Sequence, residues 1–253
     1  MNDVESNVRD MRRNVMINLS HKLKIKDFHN KMNHQFGFKI LNILNGQVMY
    51  EVFQRHQLME KGDYISFNEA MCSHKTSVAI FSDEFKSLRA LGHKISVQEY
   101  EDFTMAPLEL LFEMEYKCIV LWFGDDMFCQ MNMLTVLAYL EQVAYKGKIF
   151  FNMVNEITYK IVTIEIFLGS YKKIYQQVLI DHQFPEIQVI SSMFQGIGLY
   201  MEYIKDDNEI VAYIRENEDQ SQNELLENLF QSFPQYGLGD VQYLKIIETI
   251  TKV

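Results

Sequence analysis

An α/β fold with three layers and a mostly parallel sheet is predicted by three observations. Strand-like and helix-like runs alternate between residue 38 and about residue 157, the order from which parallel sheets are built. Cys118 to Phe123 is a run of apolar residues without alternation, as in a strand covered on both faces. Only 3 prolines and 11 glycines occur in 253 residues, too few turn formers for a loop-rich all-β chain.

Three segments are predicted in order. Residues 1–36 form a basic amphipathic helical arm: Val4, Val8, Met11 and Val15 fall at helical spacing, and Met16, Leu19 and Leu23 continue the stripe. Residues 1–35 carry seven basic against four acidic side chains, about +3, which leaves about −13 on the rest of a chain whose total is −10. Residues 37–157 form a Rossmann-like α/β domain. Its first strand is Phe38 to Leu44, ended by the turn signal Asn45-Gly46. A helix over Gln47 to Met59 carries Val48, Met49, Val52 and Phe53 at helical spacing, and Tyr64 to Phe67 is the second strand. Strand, helix and strand within so few residues make a right-handed βαβ unit.

Residues 83–116 read as helical, with a capping box at Ser96 and Glu99 and with Pro107 in a first turn. The strand Cys118 to Phe123 is broken by Gly124, and Asp126 caps a helix from Met127 to about Ala144. Lys148 to Val154 is a further strand. Residues 158–253 form a helical domain, read as helices over Thr163–His182, Glu186–Lys205, Glu209–Glu216, Asn223–Ser232 and Asp240–Lys252.

Composition excludes several classes. A chain at −10 lacks the basic face of a general nucleic-acid binder, so nucleic acid could be met only through the arm. No window approaches 18 uninterrupted apolar residues, so no membrane span is expected. The N-terminal Met1-Asn2-Asp3-Val4-Glu5 has no signal-peptide apolar core, and Cys72, Cys118 and Cys129 form no CxxC pair. A soluble cytoplasmic protein with reduced thiols is expected. Neither GxGxxG nor GxxxxGK[ST] occurs, and neither HExxH, GxSxG nor a four-ligand zinc spacing is present. No metal ligand set is assigned, and the cofactor is left open.

The chemistry that does suggest itself lies where strands hand over to helices. Open α/β sheets bind ligands outside the C-terminal ends of their strands. Asp125 and Asp126 are paired carboxylates at such a turn, and a carboxylate there can serve as general acid, base or cation contact. Gln130 shares a helix face with Asp126, at an end whose free N–H groups suit a phosphate. Asn132 is a polar residue on a helix otherwise apolar nearly all round. Asn45, Gly46 and Gln47 occupy the equivalent turn after the first strand, and Glu69 follows the second. The same residues also admit a structural reading, with Asp126 as a plain N-cap, 45–47 as a tight turn and Cys72 as an inert thiol. A Cys72–His74 nucleophile pair has no supporting neighbours.

Three of these stretches carry a resemblance. Ile43-Leu44-Asn45-Gly46, Phe67-Asn68-Glu69-Ala70-Met71-Cys72 and Leu121-Trp122-Phe123-Gly124-Asp125-Asp126-Met127-Phe128-Cys129-Gln130-Met131-Asn132 together resemble a bacterial family catalogued as domain of unknown function eighteen thirty-five. Tyr236-Gly237-Leu238-Gly239-Asp240-Val241-Gln242 is similar to a stretch near the end of its members, so the resemblance covers roughly 38–253. It implies no reaction, but it implies that the three turns lie at strand C-terminal ends and converge on one crevice. The chain departs from the family pattern at Gln47, where members tend to have Asp, and at Ser73-His74-Lys75, which replaces a Glu-Gly-Pro-like run.

Two functions of different class follow. One is a nucleotide- or phosphate-ligand site, of a hydrolase or transferase, with Asp126 and Glu69 as catalytic carboxylates and Asn45, Gly46, Gln47, Asp125, Gln130 and Asn132 holding ligand. The other is a non-catalytic regulatory or interaction module with a degenerate site, favoured by the missing acid at position 47.

Overall fold

The computed structural model describes residues 19–58, 62–113, 115–154 and 161–251. The predicted stripe from Val4 to Met16 lies outside them. The fold is α/β, with a five-stranded, mostly parallel sheet in the order β2-β1-β3-β4-β5. The strands are β1 (Ile40–Asn45), β2 (Asp63–Phe67), β3 (Cys118–Phe123), β4 (Lys148–Val154) and β5 (Ile161–Ile166). β1 pairs in parallel with β2 and β3, and β3 with β4, whereas β5 returns antiparallel to β4. The chain packs as two compact units, each assembled from separate stretches: Met1–Glu69, Glu101–Phe123 and Tyr145–Phe167 in the first, Ala70–Tyr100, Gly124–Ala144 and Leu168–Val253 in the second.

The first unit holds the whole sheet. All six residues of β3 are buried, as its unbroken apolar run requires. One sheet face packs Ile40, Leu44, Cys118, Val120 and Trp122 against Ile25 and Met32 of α1 (Leu19–Phe36) and Val52 and Phe53 of α2 (Gln47–Arg55). Trp122 is fully buried, with Phe28 and Phe53 edge-on to it. Asn42 is buried beside it and stays satisfied: its Oδ1 accepts from the indole N–H at 3.0 Å and its Nδ2 donates to the Asp63 carbonyl at 3.1 Å. A buried polar pair of this kind costs little only because every group is bonded.

Two expectations are corrected here. Leu23 was placed on the buried stripe of the arm, but it is 58% exposed while Ile25 and Met32 are buried; the inward face of α1 follows the sheet surface rather than the longest run of apolar spacing. Thr163–His182 was read as a helix, but Ile161–Ile166 is strand β5. Five of its six residues are β-branched, and such side chains favour a pleated surface, a signal overridden by the 3–4 spacing of Phe167, Tyr171, Ile174 and Val178.

The second unit is helical. It contains α3 (Asp83–His93), α4 (Val97–Tyr100), α6 (Met127–Gln142), α7 (Tyr171–Tyr175), α8 (Ser191–Tyr203), α9 (Glu209–Glu216), α10 (Gln222–Ser232) and α11 (Asp240–Thr251), whereas α5 (Glu109–Glu113) belongs to the first unit. Capping follows local sequence. Asp126 accepts from the Cys129 N–H as the N-cap of α6, as predicted, and Asn208 caps α9. Ser96 and Glu99 form the predicted capping box, and Ser221 with Glu224 forms another. α6 is buried along nearly its whole length and packs on α7 and α8. Each fully buried Leu, Val or Met there contributes about 1.5–3 kcal/mol. Among the described residues no helix is long and apolar enough to cross a membrane.

Candidate functional site

The strand ends were the predicted location, and the sheet order makes them a topological switch point. The chain leaves β1 toward β2 on one side and returns to β3 on the other, so Leu44 lies opposite Trp122. Such a reversal is where open α/β sheets generally bind ligands. Within the first unit the turns after β1 and β2 do meet. Gly46, at φ +85°, donates its N–H to the Phe67 carbonyl at 3.1 Å, a conformation that favours glycine. The Ser66 hydroxyl donates to Gln47 Oε1 at 3.4 Å, and Glu69 is buried. Asn45, Gly46, Gln47 and Glu69 thus belong to the first unit, and Asp125, Asp126, Gln130 and Asn132 to the second.

In the second unit, three of the stretches quoted above come together. Asn132, fully buried, accepts the Met71 N–H through Oδ1 at 2.9 Å. Gln130, also fully buried, donates through Nε2 to the Gly124 carbonyl at 2.6 Å, and its Oε1 has no partner among the described residues. Gly237, at φ +62°, lies directly on Asp126: a Cβ there would sit 2.0 Å from Oδ1. The Asp126 Oδ1 accepts the Cys129 N–H at 2.8 Å. Burial holds the Asp126 carboxyl above the usual carboxylate range, and the neighbouring Asp125 charge adds to this against the Cys129 hydrogen bonds. The physical role visible for Asp126, Gln130 and Asn132 is to tie the start of α6 to the loops at 71 and 237.

A carboxyl whose folded pKa is raised costs stability above that pKa, and the cost disappears as pH falls through it. Asparagine caps a helix as well as aspartate does. Asp126→Asn should therefore be as stable as the native chain at pH 7, or more so, with the difference shrinking toward acid pH. Urea unfolding at pH 7 and pH 5 measures this; a loss above roughly 1 kcal/mol at pH 7 would contradict the capping account.

The second unit also contains a cavity of about 800 Å³ that none of the eight predicted site residues lines. Its floor is the loop Cys72-Ser73-His74. α3 contributes His93, α9 contributes Val211 and Arg215, and α11 contributes Lys245. The loop is held from beneath by Arg89, which is fully buried. The Arg89 guanidinium donates to the Ala70 carbonyl at 2.9 Å, to that of His74 at 3.1 Å and to that of Ser73. A planar fork with several donors can bind converging carbonyls in this way, where an ammonium could not.

The loop so held puts His74 at φ +66°, a conformation sparsely populated by residues other than glycine. Gly92 leaves space for it, since a Cβ there would come within 2.5 Å of the His74 Cβ. The His74 ring packs edge-on to that of His93, with centroids 4.9 Å apart, and its Nε2 lies 3.1 Å from Lys245 Nζ. Desolvation holds the Lys245 ammonium pKa below the ordinary lysine value, and the Lys94 charge adds to this. Cys72 is buried and its thiol is pushed up to about 12, chiefly by desolvation, so no thiolate nucleophile is present at neutral pH. Among the described residues no three His, Cys, Asp or Glu side chains are grouped as metal ligands would be.

Sequence reasoning missed Arg89, His93 and Lys245. His74 and Lys245 are 171 residues apart, and no local spacing links them. Arg89 lies within a stretch read only as helix. No protein-family model matches the chain, and neither a curated protein nor a solved structure matches it.

Proposed function

We propose that the protein binds a small phosphate-bearing ligand, without turning it over, in the cavity of the second unit. One observation carries this reading: in a chain of net charge −10, three basic side chains (Lys205, Arg215, Lys245) and two histidines line one cavity against two carboxylates, Asp206 and Glu218. Lys205 is partly spent on an ion pair with Glu202, but among the described residues neither Lys245 nor Arg215 has an ion-pair partner. Guanidinium and ammonium groups gathered around one open recess are how proteins hold phosphates, and its volume, about 800 Å³, lies within the range of small-molecule sites. The protonated Cys72 thiol and the capping duty of Asp126 favour binding over catalysis. The order β2-β1-β3-β4 supports the finer reading of the sheet as part of a three-layer Rossmann-like fold, and the helices from Tyr171 to Thr251 support that of a helical C-terminal domain. The family resemblance is kept as part of this proposal; it brings no reaction with it.

Titration calorimetry with inorganic phosphate and pyrophosphate tests the proposal. Saturable binding is expected, weakened at least about tenfold, about 1.4 kcal/mol, by Lys245→Ala and by Arg215→Gln. Because Lys245 binds an anion only as the ammonium and its pKa is lowered, affinity should fall with rising pH earlier than for an ordinary lysine. Absence of binding by the native chain at millimolar anion would remove the proposal.

A further inference from the structure

The wall that α11 turns toward the cavity is longer than a phosphate needs. Val241, Gln242, Lys245, Ile246, Thr249 and Ile250 all line it. Their spacing of one, four, five, eight and nine places them on one face, about 13 Å long at 1.5 Å per residue. The cation is near the middle of that face. Around it the wall is aliphatic, and Val211 of α9 and the buried part of Tyr203 continue the apolar lining. Burial raises the Tyr203 phenol, so it is neutral there.

Neutral hydrogen-bonding groups interrupt this apolar surface. Gln242 spends its Oε1 on the Gly239 N–H at 2.9 Å, which caps the start of α11. Its Nε2 has no partner among the described residues, which leaves an amide donor on the wall. An acyl chain would leave that donor unmet, which costs about 1–3 kcal/mol when it is covered. A flat heterocycle meets both demands: its faces lie against aliphatic side chains and its edge offers an acceptor to the amide.

Resting on the reading of the cavity as a phosphate site, we infer that its ligand is a nucleoside phosphate, with the phosphate at Lys245, His74 and Arg215 and the base along the aliphatic wall within reach of Gln242. The two-part lining is the observation behind it: cations account for a phosphate alone, whereas the aliphatic face and the unspent amide do not.

Calorimetry on the full chain with inorganic phosphate, ribose 5-phosphate, AMP, ADP and octyl phosphate separates the possibilities. AMP or ADP should bind at least about tenfold more tightly than ribose 5-phosphate, about 1.4 kcal/mol. Gln242→Leu should remove most of that gain and leave inorganic phosphate affinity unchanged. Ile246→Ala, which does not touch the helix cap, should reduce the gain in the same selective way, and thermal melts of both variants without ligand establish that they are folded. Equal affinity for AMP and ribose 5-phosphate would overturn the inference while leaving the phosphate site standing. Tightest binding by octyl phosphate would do the same and assign the wall to an alkyl chain. Failure of all five ligands to bind would overturn both the inference and the phosphate site beneath it.

Discussion

Arg89→Ala should lower the stability of the protein by on the order of 3–5 kcal/mol, the largest effect expected of any single substitution outside the apolar core. Arg89 is fully buried, and its guanidinium satisfies the carbonyls of Ala70, Ser73 and His74 together. Truncation leaves the buried Ala70 carbonyl and the half-buried Ser73 and His74 carbonyls unmet, at up to about 1–3 kcal/mol each before relaxation. It also releases the constraint that keeps His74 at φ +66°, a conformation that persists only while its surroundings impose it. Arg89→Lys should recover little, because one compact ammonium cannot match the fork. For a domain of this size a loss of that magnitude lowers Tm by roughly 10 °C, at about 2–4 °C per kcal/mol. Denaturant unfolding provides the measurement, and a cost below roughly 1 kcal/mol would mean that the loop does not depend on Arg89.

Gly237→Ala should be the second large effect, at roughly 2–5 kcal/mol. The left-handed conformation at φ +62° costs a side-chain-bearing residue about 1–2 kcal/mol. Overpacking adds about 1–3 kcal/mol, since the new Cβ would lie 2.0 Å from Asp126 Oδ1 and 2.4 Å from its Cγ. The carboxyl cannot simply swing aside, because it caps α6 through the Cys129 N–H. A double-mutant cycle with Asp126→Gly isolates the contact. Removing the carboxyl should relieve the overpacking and leave only the conformational cost of the backbone at position 237, so the two changes together should cost less than their sum. Strict additivity would show that position 237 and position 126 do not press on one another.

These two residues show where sequence reasoning stops. The cap at Asp126, the capping box at Ser96, the bounds of β3 and β4 and the start of α9 depend on groups within a few positions of each other, and short-range patterns express them. Arg89 bonds carbonyls 15 to 19 residues away, and Gly237 meets a carboxylate more than 100 positions earlier. Neither leaves a local signature: a lone arginine in a helix and a glycine before an apolar residue both have ordinary solvent-exposed uses. The same holds for Leu23 and β5. Helical spacing identifies an amphipathic face, but which of several apolar rows turns inward is settled by the surface it meets. A strand at a sheet edge, with Val162 still 42% exposed, carries too little burial to outweigh a competing helical stripe.

The alternation of strands and helices, the buried central strand, the helix caps and the lack of the common phosphate and metal motifs were all legible in the order of the residues, because propensity, periodicity and capping act over one or two turns of chain. The antiparallel β5, the sorting of the candidate residues into two packed units, and the gathering of His74, His93, Arg215 and Lys245 around one cavity exist only in the folded chain. Those outcomes arise from burial and charge among groups distant in the chain, and no interaction of that kind is written in the spacing of neighbours.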